Sequence, residues 1–417
     1  MQAVLADLST PRYLLTALAG RVKDDAGWSR GGLLSLRDDV PDPRLPESPG
    51  WVRLRPELAG VCGSDVAFAH ATSSLVLTAF YSASQAVLGH EIVAVVDETG
   101  PGVTRVAEGD RVVVDPVLSC RHRGFDPACR SCQTGLPYVC ERFDEPGLSR
   151  THSPTLGFDV ALGGGWGELV VAHESQLHHV GGVTSSRAVL AEPASIALHA
   201  ALHWQREGDR VVVVGPGSIG LLVTAALRML HPDLDVAVVS PGAFGAAMAM
   251  RSGASRTLPA GAAAVESLAR SDGGRLLRPR MTKVPVLEKG VDAVFDCVGH
   301  PDTIDLALHV LRPGGMLVMV GGAGKQRVDW SLVWNRQLTV QGTINFGPEP
   351  ALGGRHTMEQ VVEWLGEETF RVDHLVTSVH ALEGWKDALS AASAGPAASA
   401  IKVTLRPNPQ VPLVPAG

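Results

Sequence analysis

The chain has 417 residues, 45% of them hydrophobic and 19% charged, and a net charge of -7. That length exceeds one ordinary core and predicts two domains, while the acidic balance excludes a nucleic-acid-binding face. No basic-then-apolar leader opens the sequence, and the longest apolar stretch, residues 211–227, is interrupted by GPGSIG and too short to span a membrane, so the expectation is a cytoplasmic protein with a small-molecule partner.

In chain order, residues 1–190 read as β-rich. WVRLRPELAGV (51–61), AVLGHEIVAVVDETG (86–100) and EGDRVVVDPV (108–117) are short Val-rich runs cut by Gly, Pro and Asp. Residues 37–50 form a Pro- and acid-rich surface loop. The texture changes at LAEPASIALHAALH (190–203), which has helical spacing. RVVVVGPGSIGLLVTAALRML (210–230) follows as a strand buried on both faces, a glycine turn and an apolar helix. DVAVVS (235–240), GVDAVFDCVG (290–299) and ALHVLRPGGMLVMVGGAG (307–324) continue the alternation, the last as helix, Pro-Gly-Gly turn and strand. Strands alternating with helices predict a doubly wound parallel sheet. SAIKVTLRP (399–407) closes the pattern as one more strand. The boundaries expected are a β-rich catalytic domain over 1–190, completed by 346–417, with a nucleotide-binding domain over 191–345 inserted between them.

Gly215, Gly217 and Gly220 spell G-x-G-x-x-G between a strand and a helix, with Ser218 and Ile219 inside the motif. In that setting the glycines permit a tight turn, close approach to a pyrophosphate and close helix packing, so a dinucleotide is expected there. Asp235 has the spacing of a ribose reader but precedes its strand, and the residue at the far end is Ser240. A serine removes the carboxylate that repels a 2'-phosphate, which favours NADP over NAD.

Four of the six cysteines, Cys120, Cys129, Cys132 and Cys140, fall in the spacing C-x8-C-x2-C-x7-C. Four thiolates close a tetrahedral zinc site with no open position, a structural centre. A second constellation joins Cys62 in AGVCGSDVAFAH with His90 and Glu91 in GHE and a later acid. Thiolate, imidazole and carboxylate suit a zinc with one position left for substrate.

GVCGSD, GHE, the cysteine lobe, EPASIALHA, VVVVGPGSIG, VDAVFDCVG and LRPGGMLVMVG occur in the order seen in zinc-dependent medium-chain dehydrogenases, and the chain resembles the sorbitol and threonine dehydrogenase branch. The resemblance implies a GroES-like catalytic domain and a Rossmann domain, with the active site in the cleft between them. It implies Cys62, His90 and Glu192 as ligands of a catalytic zinc, and Glu91 as the adjoining acid, a ligand of that zinc in some states and an outer partner in others. Ser64 would pass on the substrate proton, and Asp65 would hold a ligand. Val298, Gly299 and Gly321 would approach the nicotinamide, and Lys402 would reach the pyrophosphate. A secondary alcohol, polyol or amino alcohol, or the matching ketone, is the implied substrate, and the family implies a homodimer or homotetramer. Two departures stand out. The usual lobe has two residues between its first two cysteines where this chain has eight, and Ala67 occupies the position of a proton-relay histidine. The second leaves a redox-neutral or zinc-free enzyme on the same fold as the alternative.

Overall fold

The computed structural model describes residues 1–149, 151–281 and 284–415. Six parallel strands form one sheet in the spatial order Arg256–Leu258, Asp235–Val239, Arg210–Val214, Val291–Asp296, Leu311–Met319, Thr339–Gly342. In sequence order this is 3-2-1-4-5-6, the doubly wound arrangement whose switch point lies beside the first strand. The four valines of Arg210–Val214 are each at most 1% exposed, because helices cover both faces of the sheet. One helix, Ser218–Leu230, presents Leu221, Leu222, Ala225 and Ala226 to the core.

The second large sheet is mostly antiparallel. It runs Val376–Ala381, Lys402–Arg406, Trp51–Gly60, Ile92–Thr99, Arg111–Val114, Leu177–His179, and Val170–His173 pairs along the first half of Trp51–Gly60. Its strands come from both ends of the chain. The parallel-sheet unit is therefore inserted into the β-rich one, as the texture of the sequence predicts. A third, small sheet joins Leu34–Arg37, Ala3–Asp7 and Gln85–Val87.

The Ala191–Leu202 helix is buried at ten positions, including Ala191, Ala194, Ala197, Ala200 and Ala201. A helix buried nearly all round belongs inside. It packs on Ser218–Leu230 and shares a core with Leu58, Val93 and Val113 of the β-rich sheet. The Pro-Gly-Gly at 313–315 differs from expectation. It is not a turn before a strand but an irregularity within Leu311–Met319, where Val291 faces Leu311 and Ala293 already faces Met316. Gly314, at φ 71°, absorbs the extra residues.

Candidate active site and metal lobe

Strand pairing assembles the first cluster. Ala59 lies opposite Ile92, and Thr404 lies opposite Gly60. Cys62, His90 and Glu91, just beyond these strand ends, and Lys402, the first residue of its strand, are thereby brought to one place. Cys62 caps the Gly63–Ala69 helix, and its N–H donates to Asp65 Oδ2 at 3.0 Å. Asp65 Oδ1 stands 3.7 Å from His90 Nδ1. Both atoms are buried without a hydrogen-bond partner. Glu192 enters from the first turn of Ala191–Leu202.

The cluster is a buried excess of acid. Asp65, Glu91 and Glu192 are 0%, 1% and 7% exposed. Burial pushes Asp65 up, and burial together with Glu91 and Asp115 pushes Glu192 up to about 8 against the pull of His90 and Lys402. Burial favours neutral His90, but Asp65 and Cys62 outweigh it and hold the imidazole well above its usual value. Thiol, imidazole and surplus carboxylate in a dry site are what a divalent cation satisfies, so Cys62, His90 and Glu192 fit a metal.

Two expectations need correcting. Lys402 does not reach toward a pyrophosphate: its Nζ lies 2.6 Å from both Glu91 oxygens and 3.3 Å from the Val61 carbonyl, and the residue is 2% exposed. Glu91 in turn has both oxygens on that ammonium and stands as an ion-pair partner, not a carboxylate presented to a metal. Only a glycine at 60 allows this, since a Cβ there would lie 1.7 Å from Glu91 Oε2. Ser64 is exposed beside Cys62.

Sequence reasoning missed two aromatic residues. Phe158 stacks on His90 with ring centroids 5.3 Å apart, and Tyr81 meets Phe158 edge-on at 5.2 Å. They come from the two loops flanking the site, whose side chains carry no periodic signal.

The glycine motif lies at the switch point. Gly215 has φ 100°, and a Cβ there would sit 2.5 Å from Val298. Gly217 caps the Ser218–Leu230 helix. A Cβ on Gly220 would lie 1.9 Å from the Gly215 carbonyl oxygen. Gly220→Ala is expected to destabilise the chain by about 1–3 kcal/mol through overpacking and to weaken dinucleotide binding, as read by thermal melting and by nicotinamide fluorescence titration. Ser218 Oγ donates to the Ile401 carbonyl at 2.8 Å, and Ile219 is half-buried behind it. Gly299, at φ 77°, abuts the Gly321 carbonyl, and Val298 is 45% exposed beside them. Ser240 follows Asp235–Val239 and donates to the Gly242 carbonyl at 2.8 Å, whereas Asp235, at the opposite end, pairs with Arg256.

The Sγ atoms of Cys120, Cys129, Cys132 and Cys140 all lie within 4.8 Å of one another. Cys120 and Cys140 are 3.6 Å apart, and Cys129 and Cys140 are 3.9 Å apart. Tetrahedral zinc with Zn–S near 2.3 Å requires about 3.8 Å. The eight-residue spacer closes through a helical turn, Cys120–Arg123, and the Cys129 N–H points at Cys120 Sγ at 3.3 Å. Among the described residues this is the one group of three or more ligating side chains so tightly gathered; the Cys62 cluster is looser, with Glu91 held by Lys402.

Residues 48–182 match the alcohol dehydrogenase GroES-like domain, and residues 218–367 match the zinc-binding dehydrogenase domain. The chain belongs to the zinc-type medium-chain dehydrogenases/reductases. Within this family it is 27% identical over 86% of its length to the probable D-xylulose reductase A of Arthroderma otae, covering 91% of that protein. The fold matches that of an alcohol dehydrogenase (rspB) from Escherichia coli CFT073 complexed with NADH, at a TM-score of 0.70 and 22% identity, over 97% of this chain and 99% of that one. It also matches galactitol-1-phosphate dehydrogenase from Escherichia coli, at 0.70 and 21%, over 98% and 100%. As a medium-chain dehydrogenase, the chain is an oxidoreductase of the alcohol and polyol dehydrogenase type that acts on a small molecule. No helix among the described residues is long and apolar enough to cross a membrane.

Proposed function

We propose that the chain catalyses reversible hydride transfer between a secondary alcohol, polyol or amino alcohol and NAD(P), with a catalytic zinc on Cys62, His90 and Glu192 and a structural zinc in the four-cysteine lobe. The observation that carries this reading is the buried acid excess around Cys62 and His90, joined to a glycine-loop nucleotide fold through the Glu192 helix, which packs on Ser218–Leu230. Relatives named for D-xylulose and D-arabinitol support a polyol. Residues 1–190 and 346–417 would form the catalytic body and 191–345 the nucleotide body.

Bound between Cys62, His90 and Glu192, zinc would supply Lewis acidity that draws the alcohol pKa toward neutrality. The chain does the rest. Ser64 takes the substrate proton, and because it is exposed it releases that proton to water directly, which explains how Ala67 can stand where a relay histidine is usual. Phe158 and Tyr81 wall off His90 and exclude water on that side. The first turn of Ser218–Leu230 receives the pyrophosphate on its free N–H groups. Gly299 and Gly321 admit the nicotinamide. Thr339–Gly342 is an edge strand flanked by Trp334 at 83% and Ile344 at 69% exposure, which supports assembly of a dimer across that edge.

The experiment is turnover of a panel of secondary alcohols and polyols with NAD and with NADP, read as absorbance of the reduced nicotinamide. Turnover of at least one polyol is expected, with the higher kcat/KM on NADP. Ser240→Asp should lower kcat/KM for NADP by about tenfold or more, the 1.4 kcal/mol or so that a new carboxylate facing a phosphate supplies, while sparing NAD. Nicotinamide binding without turnover of any alcohol or ketone would sink the reading.

A further inference from the structure

Arg123 is fully buried, yet its hydrogen bonds run to backbone carbonyls alone. Nη1 donates to the Glu145 and Thr151 carbonyls at 2.7 and 2.9 Å, Nη2 donates to the Ser153 carbonyl at 2.6 Å, and Nε has no partner. The nearby Asp159 carboxylate is committed elsewhere, to Thr151 Oγ1 and to the His152 and Ala161 N–H groups. A buried guanidinium with no counter-ion is costly.

The missing charge lies one turn away. Arg123 ends the short helix that begins with Cys120, and Cys140 and Cys120 are the groups that most favour its charged form, ahead of Asp144 and Asp159. Four thiolates around a divalent ion carry a net charge of about -2. The eight-residue spacer builds the turn that delivers Arg123, and a two-residue spacer has no room for it.

Two of the carbonyls that Arg123 clamps, those of Thr151 and Ser153, lie in the segment that leads to the rings over His90. The packing is close: a Cβ on Gly147 would lie 2.3 Å from the Arg123 carbonyl oxygen, and one on Gly124 would lie 2.4 Å from Leu148. Beyond the clamped carbonyls, His152 N–H and Thr151 Oγ1 donate to Asp159, the neighbour of Phe158, and the His152 carbonyl accepts from Ser82 N–H, the neighbour of Tyr81. Phe158 and Tyr81 are the rings packed over His90.

We infer that Arg123 is a positioning residue with two linked tasks: it is the counter-ion of the metal-loaded cysteine lobe, and it is the strut through which that lobe holds the aromatic wall of the substrate pocket. This rests on the reading of the lobe as a metal centre.

The test compares R123M, which loses the charge, with R123K, which keeps it but cannot span three carbonyls. Zinc release to a colorimetric chelator is timed for each in a Cys62→Ala background, so that the lobe ion is the one released. KM and kcat for a polyol are measured with Cys62 restored. R123M should release zinc about tenfold faster, the low end of what an outer-shell partner is worth. R123K should release it within about twofold of the parent rate, yet raise KM about fivefold with kcat less affected, since binding geometry is what the strut supplies. A folded R123M that releases zinc at the parent rate overturns the counter-ion role. If R123M does not fold, R123K decides: tenfold faster release despite the retained charge, or an unchanged KM, overturns the proposal. A parent chain that takes up no zinc at the lobe overturns the inference and the metal reading together. A zinc-loaded parent inert toward every alcohol overturns the reaction alone, because the release rates still judge Arg123.

Discussion

Cys62→Ala is expected to lower the zinc content from two ions per chain to one and to cut kcat/KM by about a thousandfold or more. A Lewis acid at a developing alkoxide contributes several kcal/mol of transition-state stabilisation, and each ~1.4 kcal/mol is a factor of ten in rate. The remaining ion is that of the lobe, whose four sulfurs are elsewhere. Elemental analysis and steady-state kinetics on the same preparation test both halves. The structure also says why the loss should be local. Cys62 caps its helix through its backbone N–H on Asp65, which alanine retains, so the fold should persist, with the melting temperature lowered only by what the lost ion contributed. One zinc in the parent chain, unchanged by the substitution, would leave only the lobe occupied and turn attention to a zinc-free reaction on this fold.

Lys402→Met is expected to cost about 3–5 kcal/mol of stability, because it strips the cation from a buried carboxylate. Glu91 is 1% exposed and has both oxygens 2.6 Å from Lys402 Nζ, in a pocket where burial already pushes Asp65 and Glu192 toward their neutral forms. Adding Glu91→Gln to Lys402→Met should recover much of the loss, since the uncompensated charge goes with the carboxylate. Urea unfolding of the two single variants and the double variant measures the coupling. Additive losses would mean that the pair does not act as a unit. Nicotinamide affinity should fall far less than stability, because the ammonium points at Glu91.

The doubly wound sheet was legible because four consecutive valines before a glycine turn leave few other folds for residues 210–220. The lobe was legible because cysteine has few reasons to cluster. Residue chemistry could suggest Cys62 and His90 as one set, but its weight came from the family resemblance, since the contact between them depends on the antiparallel register of Ala59 with Ile92, which no local pattern encodes. Lys402 shows the opposite failure. Its place in IKVTL marks a strand, but whether its four-carbon stem turns to the cofactor or to Glu91 is decided by the empty space at Gly60. Phe158, Tyr81 and Arg123 sit in loops without periodicity, where the sequence shows residue type but not direction.

The strand carrying Lys402 has a consequence for synthesis. Lys402–Arg406 lies between Val376–Ala381 and Trp51–Gly60, so a strand that emerges late from the ribosome fills a gap inside a sheet begun about 350 residues earlier. At translation rates of about 5–20 residues per second, the nascent β-rich body would spend on the order of twenty seconds or more with that slot open and Glu91 without its cation. The nucleotide-binding unit can complete its sheet within that interval. The catalytic half would therefore mature second, and a chain stalled or clipped shortly before residue 402 would hold a finished nucleotide fold beside an exposed β-edge, a species for chaperones to shelter or proteases to clear.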